Sequence, residues 1–113
     1  MSQNRNKLLE LFIGNISNVI LHKILEKAID LQEIVNKYNR EIKNSLEIAR
    51  IYREKINPKN LPFPEKDIDE IRRKIFLKVK SELSIRVSRG YKNIDFSLID
   101  PFIKEALTEM KII

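Results

Sequence analysis

The chain has 113 residues, enough to bury one modest core, and no cysteine, which excludes disulfides, thiolate catalysis and iron–sulfur ligation and favours a cytoplasmic setting. Apolar residues make up 42% and charged residues 34%, a balance that separates the chain from disordered sequences. The formal charge is +6, and its placement along the chain matters more than its size.

Ser2 to Lys7 are polar. The apolar run that follows, Leu8 to Ile13, is short and contains Glu10, so it does not read as a secretion signal. No stretch reaches the roughly 18 consecutive apolar residues of a membrane span, so no membrane partner is expected. Residues 5–13 fit a short first helix. Gly14 and Asn15 interrupt it, with Asn15 or Ser17 able to cap the next helix.

From Asn18 to Ile56 there is neither Gly nor Pro. One face reads Leu21, Ile24, Ala28, Leu31, Val35, Tyr38, Ile42, Ser45, Ala49, Tyr52, Ile56, in steps of three and four. That stride lies on one side of an α-helix and is the repeat of coiled-coil packing. Small Ala28, Ser45 and Ala49 beside large Tyr38 and Tyr52 suit unlike helices better than a regular zipper. The expectation is one long helix over residues 17–56, roughly 58 Å from Asn18 onward at 1.5 Å per residue. A break near Asp30 or near Asn44–Ser45 has no strong marker. An unbroken rod of that length needs partners to cover its seam. Glu33–Lys37, Lys43–Glu47 and Arg50–Glu54 are spaced to pair on its outer side.

Residues 57–64 form a corner containing Pro58, Pro62 and Pro64, with Leu61 and Phe63 placed to plug the end of a bundle. Pro64, Glu65 and Asp67 open a second long helix over residues 65–89, which returns antiparallel and stops at Gly90. Its core face is Ile68, Ile71, Ile75, Val79, Leu83 and Val87. Leu77 and Ile85 fall away from that stripe, which leaves room for a second partner surface.

This helix is strongly basic. Between Ile71 and Lys92, eight Lys and Arg residues stand against Glu82 alone. Arg72 and Arg86 sit near the apolar stripe, where they can snorkel or pair with Glu47 or Glu54. Arg73, Lys74, Lys78 and Lys80 remain as the better phosphate candidates, with Arg89 and Lys92 at the helix end. An acidic protein and an ordinary solvated face are the competing readings. Tyr91 either lids the bundle or stacks on a base.

Beyond Gly90, Tyr91–Ile99 is a link with Asp95 or Ser97 as a cap, and the alternating pattern of Asn93–Asp100 would need a second strand to pair with. Asp100–Pro101 opens a last helix over residues 101–111. Ile112 and Ile113 at the end would be odd unless they dock.

Catalytic patterns are weak. His22 is the only histidine, so His22 and Glu26 lack the further ligands a zinc site needs, and no cofactor or metal is expected. Gly14 and Gly90 stand alone, so there is no phosphate-cradling loop. The expectation is a non-enzymatic, all-α antiparallel bundle in one domain, 1–113, built on one very long helix and a second basic one, with short terminal helices. It would assemble through its seam, as a homo-oligomer or with a protein partner, and touch DNA or RNA backbone through the basic helix. The alternative is a purely structural or adaptor protein without nucleic acid.

Overall fold

The computed structural model describes residues 5–57 and 63–113. It is an all-α bundle of four helices with no strand among the described residues: α1 (Arg5–Ala28), α2 (Gln32–Ile56), α3 (Glu65–Ser88) and α4 (Ile99–Glu109), the last preceded by a 3-10 turn at Phe96–Leu98. Its extents are 45 × 25 × 23 Å.

The long rod does not form. Helix α1 runs straight through Gly14 and Asn15, and the chain turns at residues 29–31. Asn15 does not cap a new helix; its side-chain amide donates to the Leu11 carbonyl at 2.8 Å, one turn back. Gly14 is tolerated because both flanks are anchored: Phe12, Ile13 and Ile16 are buried. A mid-helix glycine costs about 1 kcal/mol, less than the 1.5–3 kcal/mol that burying a single large aliphatic side chain contributes.

The break at Asp30 has the same origin. A straight helix would strand Leu21 and Ile24 far from Ile42 and Ala49. Folding back buries all four in one core. The turn needs no left-handed residue, and Leu31 starts α2 with its carbonyl accepting from the Ile34 and Val35 amides at 3.1 and 3.0 Å.

Cross-helix pairs show the topology. Arg5 meets Asp67 at 2.7 Å, and further along both helices His22 and Arg86 line one cleft, so α1 and α3 run parallel. His22–Glu41 at 3.0 Å and Lys23–Glu105 at 3.1 Å tie α1 to α2 and α4, which run the other way. The result is an up-down-up-down bundle. Helix α1 is its hub. It packs on all three other helices, and ten of its side chains are buried. Among the described residues, α1 alone is by length and composition apolar enough to span a membrane, contrary to the sequence expectation, and 56% of that apolar window lies inside the bundle.

Helix ends follow the local chemistry. At the end of α3, Gly90 has φ 98°, the Tyr91 amide donates to Arg86 carbonyl and the Gly90 amide to Val87 carbonyl, both at 3.0 Å, which is a Schellman stop. The end of α4 repeats the pattern with Lys111 at φ 58°, and Ile112 packs into the core at 3% exposure. Ile112 therefore docks within its own chain, and only Ile113 stays exposed. Asp95 caps the 3-10 turn by accepting from the Ser97 amide at 2.9 Å, and α4 begins at Ile99, two residues before the expected start. The link 93–98 holds no strand.

Of the proline corner, residues 58–62, including Leu61, lie outside the described residues. Phe63 does plug the core, at 6% exposure. Above it sits the 5% exposed Arg53, whose guanidinium carbon is 5.2 Å from the Phe63 ring centroid. Arg53 donates to the Met110, Asn57 and Lys111 carbonyls at 2.9, 2.9 and 3.1 Å, closing the ends of α4 and α2 together.

Candidate interaction surfaces

Two groups of residues stand out in the sequence, the seam and the basic helix. The hairpin turns the seam inward. Leu21 and Ile24 on α1 and Ile42 and Ala49 on α2 are buried, Tyr38, Tyr52 and Ile56 pack against the core, and Val35 is partly buried. Leu31 alone leaves the seam; it sits in the turn and is 64% exposed. The stride is thus satisfied within one chain, so excess helix length no longer argues for a partner. The α2 pairs expected at i,i+4 do not form among the described residues. Arg50 instead reaches Glu109 on α4 at 3.1 Å.

The basic residues of α3 are dispersed by the helix itself. Lys74 pairs with Glu70 at 3.1 Å. The Lys78 ammonium folds over Gly14, 3.7 Å from where a Cβ would stand. Lys80 lies over the Phe76 ring at 5.8 Å. Arg86 pairs with Glu82 at 3.0 Å, not with Glu47 or Glu54. Arg72, Arg73, Arg89 and Lys92 are exposed and make no ion pair among the described residues. Arg73 and Lys78 point about 140° apart around the helix. The eight cations therefore do not converge on one face.

A polar cluster joins α1, α2 and α3. The His22 ring stacks on Tyr38 with centroids 5.2 Å apart, and its Nε2 reaches Glu41 at 3.0 Å. Burial pushes His22 below its ordinary value near 6.5; Glu41 opposes that shift and Arg86 adds to it. Burial likewise raises the Tyr38 phenol. Beside the histidine, a cleft of about 220 Å³ is lined by Ser17, Asn18, His22, Lys78, Glu82 and Arg86 among others. Ser17 Oγ and His22 Nδ1 are buried there, with the His22 ring next to the Asn18 backbone one turn back. No hydrogen bond joins them, so they do not form a nucleophile–base pair. No group of three metal-ligating side chains gathers among the described residues.

Exposed aliphatic side chains are the remaining feature. Ile48 and Ile51 on α2 are 42% and 55% exposed. On α3, Leu77, Ile85 and Val87 are 53%, 40% and 46% exposed. Leu77 and Ile85 are the residues that the sequence pattern sets apart from the core stripe. Val87, expected in the core, lies outside it because the bundle has closed over Leu83. Arg53 escapes the sequence reading although, four residues beyond Ala49, it lies on the seam side of α2; what its guanidinium meets becomes visible only when the end of α4 docks above it.

The chain matches no known family model, no curated protein and no solved structure, so its surfaces are read from their own geometry.

Proposed function

We propose that this chain is a non-enzymatic helical adaptor or assembly subunit that works by packing exposed helix faces against a protein partner. The observation that carries this reading is the set of aliphatic side chains left outside a core that is already closed: Ile48 and Ile51 on α2, and Leu77, Ile85 and Val87 on α3. Leu77, Ile85 and Val87 lie outside a core stripe that Ile71, Ile75, Val79 and Leu83 already fill, so their apolar area is left for a partner to cover. The partner is a second copy or another protein.

Sedimentation velocity from about 1 to about 100 µM, with affinity purification from the native host, tests the reading. The expected result is a mass that rises with concentration or a stoichiometric complex with a second protein. A monomer across the whole range that is recovered alone from its host would overturn it.

A second reading, contact with nucleic-acid backbone, is supported by the unpaired cations Arg72, Arg73, Arg89 and Lys92 on and just after α3. It expects duplex binding that weakens steeply as salt rises and that weakens further when Arg73, Lys74, Lys78 and Lys80 are replaced by Gln. Unchanged affinity in that variant would remove this reading.

A further inference from the structure

We infer that the outward face of α3 is a docking surface for an acidic amphipathic helix of a partner protein, an inference that deepens the packing reading and rests on it. Helix α3 carries two strides. Ile71, Ile75, Val79 and Leu83 are buried in the bundle. On the opposite side, Arg73, Leu77, Lys80, Ser84 and Val87 recur in steps of four and three, and all five are exposed. Residues so spaced line one helix face, the geometry a second helix needs to pack along it.

The composition of that face identifies its occupant. Leu77 is 53% exposed at its centre, with Val87 on one edge and Ile85 on the other. Ser81, Ser84 and Ser88 are exposed between them, and such small side chains let a second backbone approach closely. One edge is cationic, with Arg73 and Lys80 exposed; on the other, Lys74 is held by Glu70 at 3.1 Å and the Lys78 ammonium lies over Gly14. Both nearby acids are taken up within α3, Glu70 by Lys74 and Glu82 by Arg86 at 3.0 Å on the side facing α1. A partner that covers the aliphatic centre must therefore bring its own carboxylates to the Arg73–Lys80 edge. Charge of the same sign there would cost binding, and complementary charge steers and selects.

Self-pairing is disfavoured: two copies meeting through the same α3 face bring two cationic surfaces together, and the carboxylate on that face, Glu70, is already held by Lys74. A nucleic-acid backbone meets the cations but offers no apolar surface to Leu77, Ile85 and Val87, so those residues would not affect its binding. An amphipathic helix with an aliphatic seam and Glu or Asp beside it satisfies both halves of the surface.

The test is selection of displayed amphipathic helices against the immobilised full chain. The seam is kept aliphatic and the flanking positions vary among Glu, Gln and Lys. Enrichment of Glu at the flanks is expected. The selected peptide, made synthetically, should lose at least about tenfold in affinity with Leu77→Asp and several-fold with Arg73→Gln combined with Lys80→Gln. It should be indifferent to Ile48→Asp. Helix content by circular dichroism should be the same in every variant.

Selection of Gln or Lys flanks as readily as Glu, with loss on Leu77→Asp, overturns the acidic partner and leaves the packing reading standing. Failure to enrich any helix overturns the proposal, and joined to a monomeric chain without a protein partner it removes the packing reading as well. A short DNA duplex that displaces the selected helix and binds the Leu77→Asp chain unchanged gives the surface to nucleic acid instead.

Discussion

Three single residues decide how tightly this bundle closes. Arg53 is buried at 5% exposure and its donors go to main-chain carbonyls, so its removal strands acceptors at the ends of two helices. Arg53→Ala is expected to cost about 3 kcal/mol in urea unfolding. Arg53→Lys recovers little of this, because a point-like ammonium cannot reach three carbonyls in a planar fork or stack on Phe63. Gly14 works the other way. A Cβ there meets only the end of Lys78 at 3.7 Å, an ordinary contact, so Gly14→Ala should stabilise the chain by about 0.5–1 kcal/mol. A loss of stability in that variant would show that Lys78 needs the notch. His22 links residue chemistry to pH. Its folded pKa lies below 6.5, so the unfolded chain binds more protons as pH drops through that value. The contribution of His22 is complete above about pH 7 and is lost as the pH falls through its lowered folded value. A stability profile between about pH 7 and 5.5 should therefore slope downward toward acid, and His22→Gln should flatten it.

At the scale of the elements, the boundaries show which signals are local and which are not. Pro64 with Glu65 and Asp67 opens α3 where the sequence places it, and Gly90 ends it within a residue, because both ends depend on backbone chemistry confined to a few residues. The turn at 29–31 depends on burial. The three–four stride continues across it without a missing step, and only the advantage of covering Leu21 and Ile24 with Ile42 and Ala49 separates a hairpin from a rod. No window of local sequence contains that comparison. The candidate surface is legible in part. Leu77 and Ile85 lie off the core stripe in the bare sequence, but the dispersal of the lysines follows only when Gly14 and Phe76 are seen beneath Lys78 and Lys80. The two Schellman stops allow a matched experiment. Gly90→Ala forces a side chain into φ 98° with nothing near it in space, so its cost of about 1–2 kcal/mol is purely conformational. Lys111→Gly relieves φ 58° at the end of α4 and should gain up to about 1 kcal/mol, provided Ile112 keeps its place in the core.

Across the whole molecule, stability is expected to follow distance from α1. That helix packs on α2, α3 and α4, and its buried side chains run from Leu8 to Leu25. Helix α2 is one residue longer but buries only Ile42, Ala49 and Arg53, and nothing between Gln32 and Glu41 is fully buried. Tyr38 stacked on His22, and the His22–Glu41 contact in the next turn, tie this segment to α1. Opening that segment exposes little apolar surface and leaves Phe12, Ile16, Ile20, Ile71, Ile75 and Leu107 covered, so it needs far less free energy than global unfolding. Native-state hydrogen exchange should show amides of α1 from Phe12 to Leu25 protected to the global limit. Amides from about Ile34 to Arg40 should exchange through a smaller, local opening. Equal protection of the two segments would mean that the bundle opens only as a unit, and that α1 is one helix among four instead of the hub the others fold around.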